Sequence, residues 1–296
     1  MADGIETIGF IGLGVMGEAM CRNLVQRGKW GIIAYDLNPE PIARLAKDGA
    51  KPALSLDEIT EGADLILTCL PGGDHVEALT LGDDGLIFRL RVGQTFVDMS
   101  TSPPALMREI AKNAPDGVMT AEAPIARTRA AAAEGNLLIM VGGDQAVFEK
   151  IAPVMQTMGS DVIHCGPSGT RQVAKILNNM VLIDTVAALA EAIEMGERSD
   201  ISPHALLDVL SLGSANSFAL GAHGRNALAE QDYPKQAFSV HYAAKDLSYA
   251  RAIAKETGVR SPGADNVAAL FDEAIKAGHG DHYFPVIRKL LGCREE

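Results

Sequence analysis

The sequence contains little cysteine, and its four cysteines lie far apart. Cys21, Cys69, Cys165 and Cys293 form no C-x-x-C pair and no metal-binding cluster with histidine. We therefore expect no disulfide framework and no bound metal. Such a pattern is typical of a reducing compartment, so we expect a cytoplasmic protein.

Basic residues are also few at the start of the sequence, and no long apolar run is unbroken. Residues 1–6 lack the positive charges that open a signal peptide. The most apolar later stretch is interrupted by Asn178, Asn179, Asp184 and Glu191, so we expect no membrane span.

Positive charge is scarce, with 26 Lys and Arg against 38 Asp and Glu and a formal net charge of −12. This balance argues against partners such as nucleic acid or an anionic membrane surface. If the substrate is an anion, its site must concentrate positive charge locally. The 296 residues are 47% hydrophobic, enough to bury the core of one large or two ordinary domains without disulfides.

The first half of the chain alternates short apolar strands with helical patterns. The predicted strands cover residues 8–11, 31–35, 63–70, 94–99, 118–125 and 137–141, and the first two helices cover 17–27 and 39–47. Such alternation predicts right-handed βαβ units and a parallel sheet. The expected fold class is an α/β Rossmann-type N-terminal domain.

The second half is predicted to be helical throughout. Residues 170–198 show no strand pattern and are apolar on most faces, so we expect one helix of about 40 Å, buried nearly all round. Ser202-Pro203 and Ser261-Pro262 have the form of helix starts, and a third helix is predicted over 244–257. We therefore predict an NAD-binding domain over 1–168 and an all-α domain over 169–296, joined by the long helix.

The segment after the first strand contains a G-x-G-x-x-G motif at Gly12, Gly14 and Gly17. In a dinucleotide site the first glycine permits a tight turn, the second lets the backbone approach a pyrophosphate, and the third lets helix and strand pack closely. The motif alone could be an ordinary glycine-rich turn. Here a strand precedes it and a helix follows it, which favours dinucleotide binding.

Asp36 follows the second predicted strand, where an acidic side chain can accept hydrogen bonds from the adenosine ribose. Its charge would repel the 2′-phosphate of NADP, and Leu37 follows it where an arginine would favour that phosphate. We therefore expect NAD as the cofactor, in preference to NADP. The alternative is that Asp36 is a turn residue before Asn38-Pro39.

Longer motifs surround these residues and recur along the chain. In order they are Gly12-Leu13-Gly14-Val15-Met16-Gly17-Glu18-Ala19-Met20-Cys21-Arg22-Asn23-Leu24, Leu70-Pro71, Asp98-Met99-Ser100-Thr101-Ser102-Pro103, Gly166-Pro167-Ser168-Gly169, Lys175-Ile176-Leu177-Asn178-Asn179 and Lys245-Asp246-Leu247. Over nearly its whole length the sequence resembles the β-hydroxyacid dehydrogenases, a family that includes 3-hydroxyisobutyrate dehydrogenases and tartronate semialdehyde reductases.

The resemblance implies roles for individual residues. Cofactor contacts are implied for Gly12, Leu13, Gly14, Val15, Met16, Gly17, Asp36, Leu70, Pro71, Thr101 and Lys245. Substrate contacts are implied for Ser100, Asn178 and Asn179. Lys175 would be the catalytic acid and base, and Asn179 would orient that lysine or hold the substrate.

The type and position of these residues support the same roles independently of the family resemblance. Ser100 and Thr101 follow a strand, and ligands of parallel sheets bind at the carboxyl ends of strands. Lys175 and Asn179 are four apart and share a helix face. Reduction of a carbonyl needs a proton at its oxygen, and a buried lysine is suited to supply it. Alternatively, Lys175 snorkels from an apolar helix, and Lys245 is a surface charge.

The sequence departs from the family where most members have Ser-Gly-Gly, which holds a substrate carboxylate. Ala126, Arg127 and Thr128 occupy those positions. This resembles the G-R-T segment of the sulfolactaldehyde reductases, in which the arginine binds a sulfonate, and it implies substrate contacts for Arg127 and Thr128. Ala126 and Arg129 differ from that pattern. The alternative is that Arg127 and Arg129 are loop charges, one of them paired with Glu134.

These observations predict an NAD-dependent oxidoreductase that interconverts a short anionic aldehyde and its primary alcohol, with 3-sulfolactaldehyde as the first substrate candidate. The alternative substrates are carboxylates of the 3-hydroxyisobutyrate, tartronate semialdehyde or succinic semialdehyde type. An imine reductase is disfavoured by Lys175, and so is a non-catalytic dinucleotide-binding module. The apolar second half and the resemblance suggest a homodimer or homotetramer.

Overall fold

A computed structural model describes residues 4–166, 170–235 and 237–292. The chain divides into two units, Met1–Lys175 and Ile176–Glu296. The boundary predicted at residues 167–169 and the Gly166–Gly169 motif, apart from Gly166 itself, lie outside the described residues. The exact domain boundary therefore stays a prediction.

The first unit is built on a six-stranded sheet in which every neighbouring pair is parallel. Its strands are β1 (Thr7–Ile11), β2 (Gly31–Tyr35), β3 (Lys51–Pro52), β4 (Leu65–Thr68), β5 (Thr95–Asp98) and β6 (Met119–Glu122). Their order in the sheet is β3-β2-β1-β4-β5-β6. The order reverses direction between β1 and β4, the place where doubly wound sheets bind ligands.

Helices cover both faces of this sheet: α1 (Val15–Arg27), α2 (Pro39–Asp48), α3 (Leu56–Gly62), α4 (Gly73–Leu81) and α5 (Pro104–Asn113). Successive side chains of one strand enter different cores. In β4, Leu65 and Leu67 belong to one core cluster and Ile66 to another, and all three are fully buried. A strand buried on both faces is a continuous apolar run. The predicted Rossmann-type α/β class is confirmed.

Residues 118–125 do not form one strand as predicted. β6 ends at Glu122, and the chain resumes after Pro124 as β7 (Ile125–Ala126), because proline has no N–H for a ladder. β7 pairs antiparallel with β8 (Leu137–Val141). β8 in turn pairs parallel with β9 (Gly159–His164), a strand that was not predicted from the sequence. Helix α6 (Arg129–Glu134) connects β7 to β8, and helix α7 (Gln145–Met155) connects β8 to β9 in this second, three-stranded sheet.

The described part of the second unit contains helices and no named strand. They are α8 (Thr170–Glu197), which begins in the first unit, α9 (Pro203–Leu212), a π-helix (Leu220–Ala229), α10 (Val240–Thr257), α11 (Pro262–Lys276) and a 3-10 segment (Phe284–Leu290). Helix α10 begins earlier than predicted, because the Ser239 hydroxyl accepts a hydrogen bond from Tyr242 N and caps it. The predicted all-helical character is confirmed.

The expectation that the long helix is buried nearly all round is wrong. Ile183, Val186 and Ile193 are fully buried in the core of the second unit, whereas Val181 and Met195 are 58% and 63% exposed. Residues 183, 186 and 193 follow helical periodicity and form one stripe, so apolar residues outside that stripe stay at the surface.

By length and composition, Gln172–Glu197 is also one candidate membrane span among the described residues. The core helix of a soluble protein passes the same test. The buried stripe of α8 gives it the contacts of such a core helix.

Candidate active site

The glycine-rich turn between β1 and α1 has the geometry that each glycine was predicted to supply. Gly12 has a φ of +91°, and a Cβ on it would lie 2.4 Å from the carbonyl oxygen of Cys69. A Cβ on Gly17 would lie 2.0 Å from the Gly12 oxygen, so only glycine lets α1 approach the turn this closely. A Cβ on Gly14 would meet nothing within 4 Å, which leaves the backbone open to a ligand.

Asp36 stands beside this turn at the end of β2. Its Oδ2 accepts a hydrogen bond from Leu13 N at 2.6 Å, and its Oδ1 accepts one from Asn38 N at 2.7 Å. A carboxylate has about four acceptor positions, so both oxygens can accept further bonds from ribose hydroxyls. Leu37 is 91% exposed and brings no positive charge. The turn and Asp36 therefore fit a dinucleotide: a pyrophosphate over Gly14 at the helix N-terminus and a ribose at Asp36.

A buried carboxylate organises the carboxyl ends of β4 and β5. Asp98 is fully buried and accepts hydrogen bonds from Thr68 Oγ1 (3.0 Å), Ser100 N (3.0 Å) and Ser102 Oγ (2.9 Å). Burial raises the pKa of Asp98, and the bonds from Ser100, Ser102 and Thr68 oppose that rise. Leu70 N donates to Ser100 Oγ at 2.9 Å, so the predicted cofactor residue Leu70 and the predicted substrate residue Ser100 are in direct contact.

The other predicted residues of these two segments are more accessible. Pro71 is exposed and Thr101 is half-buried. Their predicted contacts with the adenosine and with the nicotinamide ribose stay predictions.

Lys175 belongs to the first unit and is only 9% exposed. One turn earlier on α8, the fully buried Gln172 donates from Nε2 to Ser100 O (2.9 Å) and accepts at Oε1 from Ser102 N (3.1 Å). Gln172 N also donates to Oε1 of Glu122 at the end of β6 (3.4 Å). Since residues three apart share a helix face, Lys175 lies on the face of α8 that contacts the ends of these strands.

In the second unit, Asn179 and Lys245 meet at a shared carboxylate. Asn179 Nδ2 donates to Asp246 Oδ2 at 2.6 Å, and Lys245 Nζ lies 3.1 Å from Asp246 Oδ1. Asp246 is 4% exposed, and Lys245 Nζ lies 5.6 Å from the centroid of the Tyr242 ring. Lys245 is therefore a paired charge, and its predicted cofactor contact stays a prediction.

Asn178, the neighbouring amide, is exposed, and its Nδ2 donates to Asn179 Oδ1 at 3.3 Å. Its predicted substrate contact stays a prediction.

The segment that replaces Ser-Gly-Gly has an unusual backbone. Arg127 has a φ of +87°, in the left-handed region that glycine adopts at no cost. Its Nη1 donates to Asn136 O (2.7 Å) and Ser160 Oγ (2.8 Å), and its Nη2 pairs with Asp161 Oδ2 (2.6 Å). The partner is thus Asp161 and not Glu134. The guanidinium already has protein acceptors on both Nη atoms.

The two residues after Arg127 have different surroundings. Thr128 Oγ1 accepts from Ala131 N at 3.3 Å and caps α6. Arg129 is an exposed first-turn residue of the same helix. The cap leaves Thr128 a structural role, whether or not it also contacts substrate.

Three residues that hold predicted site residues in place were not predicted from the sequence: Asp98, Gln172 and Asp246. Asp98 stood within a quoted motif, and the signal for it was an acidic residue at the end of an apolar strand. Asp246 stood within a motif too, directly after Lys245, whereas the only signal for Gln172 was a polar residue three positions before Lys175. Asn23 of the opening motif is structural, because its Nδ2 donates to Ala132 O at 2.7 Å and joins α1 to α6.

Comparison with known proteins agrees with this geometry. Residues 7–166 match the family of the NAD-binding domain of 6-phosphogluconate dehydrogenase, and residues 169–290 match the family described as NAD-binding of NADP-dependent 3-hydroxyisobutyrate dehydrogenase. The chain is 33% identical to NAD-dependent L-serine dehydrogenase of Pseudomonas aeruginosa, over 97% of this chain and 98% of that one. It is 35% identical to 3-hydroxyisobutyrate dehydrogenase of the same organism, over 96% and 97%.

A solved structure is also similar over the full length. It is that of Mycobacterium tuberculosis 3-hydroxyisobutyrate dehydrogenase with L-serine, with a TM-score of 0.88 and 30% identity over 98% of this chain and 100% of that one. The chain belongs to the 3-hydroxyisobutyrate dehydrogenase-like family of β-hydroxyacid dehydrogenases, which are NAD(P)-dependent oxidoreductases. The predicted family and enzyme class are confirmed.

Proposed function

We propose that this enzyme transfers a hydride between NAD(H) and a short β-hydroxy acid or its aldehyde, with Lys175 as the general acid and base. One observation supports this most strongly. A nearly buried lysine follows by one turn a glutamine that is bonded to Ser100 and Ser102 at the carboxyl end of β5. Parallel sheets bind their ligands at that edge.

The chemistry divides between the cofactor and the chain. NADH bound along the glycine-rich turn supplies the hydride. The Lys175 ammonium donates a proton to the carbonyl oxygen during reduction, and the amine accepts it from the alcohol during oxidation. Ser100, whose hydroxyl accepts from Leu70 N and whose N–H donates to Asp98, orients the same oxygen. Asn179 is held by Asp246, and its role stays the one that the family resemblance implies.

Asp36 and Leu37 support NAD as the preferred cofactor. The Asp36 carboxylate is fixed by Leu13 N and Asn38 N, so its negative charge stays where the 2′ position of the ribose would lie. A 2′-phosphate there would face a carboxylate with no compensating charge from the exposed Leu37.

The proposed substrate anion is first of all a carboxylate. L-Serine and 3-hydroxyisobutyrate, named for the relatives above, both contain a primary alcohol two carbons from a carboxylate carbon. The bonds of Arg127 to Asp161, Ser160 and Asn136 also favour a carboxylate over a sulfonate, because a sulfonate would have to compete with Asp161 for the guanidinium.

A sulfonate substrate, 3-sulfolactaldehyde, is the second candidate. It is favoured by the presence of Arg127, whose forked donors suit a tetrahedral anion, where most of the family has glycine. The pair with Asp161 is about half exposed on both sides, so a substrate anion could exchange with Asp161 at modest cost.

Initial rates of reduction with NADH would separate these candidates. The substrates are methylmalonate semialdehyde, tartronate semialdehyde, succinic semialdehyde and 3-sulfolactaldehyde. Each is tested on the wild type, on Arg127→Ala and on Arg129→Ala, an exposed neighbouring arginine that serves as the matched control.

If a carboxylate is the best substrate and both variants resemble the wild type, the first candidate stands and Arg127 is a structural loop residue. If 3-sulfolactaldehyde is best and Arg127→Ala alone lowers its kcat/KM by roughly 10- to 150-fold, as for loss of a charged hydrogen bond, the second candidate replaces it. Absence of activity on the whole panel, with NADH bound, would overturn the proposed reaction.

A further inference from the structure

At the proposed site, the side chain of Gln172 makes two hydrogen bonds that the backbone of a neighbouring strand would otherwise make. Its amide donates to the carbonyl of Ser100 and accepts from the N–H of Ser102, the two groups that an adjacent strand would engage. The side chain is fully buried, and its own N–H donates to Glu122. The start of α8 is therefore bonded to the ends of both β5 and β6.

The bonds of Gln172 link two parts of the proposed site, residues 100–102 after β5 and Lys175 on α8. At one end the segment 100–102 is fixed from both sides, since Ser100 N and Ser102 Oγ also donate to the buried Asp98. At the other end Lys175 follows Gln172 by three residues on a continuous helix, so rotation of this turn about the helix axis would move both side chains together.

We infer that Gln172 is a positioning residue that sets the distance between Ser100 and the Lys175 amine. The inference rests on the proposed roles of those two residues. Proton transfer requires the Lys175 amine to lie within about 2.6–3.2 Å of the substrate oxygen that Ser100 orients. A small rotation of this turn would move the amine away from that oxygen without unfolding the domain. Gln172 itself touches neither substrate nor cofactor in this scheme.

Gln94 provides a matched control at the opposite end of β5. It is also a buried glutamine, 5% exposed, whose Nε2 donates to Thr60 O (2.7 Å) and Ala63 O (2.6 Å) and whose Oε1 accepts from Arg91 N (2.6 Å). Replacing either glutamine removes buried bonds to backbone groups of the same unit. Only Gln172 lies at the carboxyl end of the sheet.

The test compares Gln172→Met, which keeps the length of the side chain but loses both bonds, with Gln94→Met. Thermal unfolding, NADH affinity by fluorescence, kcat, KM and the pH profile of kcat/KM are measured for each. We expect Gln172→Met to lower kcat by roughly tenfold to a hundredfold and to retain its affinity for NADH. We also expect a shift in one limb of the pH profile of kcat/KM, namely the limb that is absent in Lys175→Met and so reports on Lys175. Gln94→Met should lower the thermal midpoint and leave both kcat and the profile unchanged.

Gln172→Glu keeps the acceptor for Ser102 N and turns the donor into an oxygen facing Ser100 O, so it should reproduce the kinetic loss if Gln172→Met does not fold. A folded variant with the kcat and pH profile of the wild type would overturn the inference, as would an equal loss of kcat in Gln94→Met. Failure of both Gln172 variants to fold, with Gln94→Met folded, would make Gln172 purely structural and also overturn it. Full activity in Lys175→Met would instead overturn the proposed function.

Discussion

The carboxylate of Asp36 lies 2.6 Å from the backbone nitrogen of Leu13, so the end of β2 is hydrogen-bonded directly to the glycine-rich turn after β1. The second oxygen of Asp36 accepts from Asn38 N, and Asn38 in turn caps α2. The negative charge beside the turn is therefore fixed from two sides. Cofactor choice should depend on this one side chain.

Asp36→Ala should weaken NADH and favour NADPH. Loss of charged hydrogen bonds to the ribose would raise the KM for NADH by about 10- to 150-fold, and removal of the charge would lower the KM for NADPH. Steady-state rates with both cofactors measure this. Asp64→Ala is the control, because Asp64 also accepts from two backbone nitrogens, Glu6 N and Thr7 N, but at the start of the sheet. Equal cofactor ratios in the wild type and Asp36→Ala would contradict the role of Asp36.

Gly14→Ala and Gly17→Ala should separate binding from folding. The Cβ of Gly14→Ala enters open space, so the thermal midpoint should stay unchanged while NADH affinity falls, because the methyl occupies the approach to the pyrophosphate. In Gly17→Ala the Cβ would lie 2.0 Å from the Gly12 oxygen, so the turn must shift and the midpoint must fall. Calorimetry and fluorescence titration distinguish the two effects. An unchanged NADH affinity in Gly14→Ala would argue against a pyrophosphate there.

Lys175→Met should strongly slow catalysis without loss of cofactor binding. We expect kcat to fall by roughly 10²- to 10⁴-fold, the usual contribution of a general acid or base. Lys150→Met is the control: Lys150 is a half-buried lysine of the same unit whose Nζ donates to Gly93 O at 3.1 Å. Rapid-mixing measurement of hydride transfer in both variants checks the prediction. Comparable rates in the two would remove Lys175 from the reaction.

His223 should make the second unit sensitive to mild acid. Burial lowers the pKa of His223 from 6.5 to about 4, and its Nδ1 is hydrogen-bonded to the Tyr283 hydroxyl. Between pH 6.5 and 4 the unfolded chain binds a proton that the folded chain does not, so stability falls as the pH falls, by about 1.4 kcal/mol per unit at most.

Denaturant unfolding of His223→Gln from pH 7 to 4.5 measures this effect. The variant should lose stability less steeply than the wild type across that window. His204→Gln is the control, since His204 is exposed and the substitution makes the same change in charge. Parallel pH dependences of the wild type and His223→Gln would show that other groups determine acid unfolding.

Much of the fold followed from local patterns. The apolar run of β4 predicted a strand buried on both faces, and Leu65, Ile66 and Leu67 are fully buried. One pattern misled for a local reason, because Pro124 lies within the predicted strand and ends it. The other causes were not local. β9, in which Ile163 is half-exposed, forms because β8 pairs with it. On α8, one apolar stripe is buried because the core of the second unit contacts one side of the helix.

The candidate site divides in the same way. The sequence was enough to predict the glycine motif, the acidic residue after β2 and the lysine on an apolar helix, because each depends on residue type at a fixed spacing. The hydrogen-bond and ion-pair partners of the site residues could not be predicted in this way. Nothing local indicates that Gln172 bonds to residues 70 positions away, that Arg127 pairs with Asp161, or that Asn179 and Lys245 share Asp246.

Short motifs and periodicity were enough to predict the family, the Rossmann-type class and the dinucleotide turn, and they indicated Lys175 as the candidate proton donor. What each of those side chains is bonded to depended on the packing of the folded chain. It placed the guanidinium of Arg127 against Asp161 and the amide of Gln172 against the end of β5. Hydrogen bonds between side chains form across long sequence separations, and how the sheet and helices pack sets their partners. No local pattern encodes that packing.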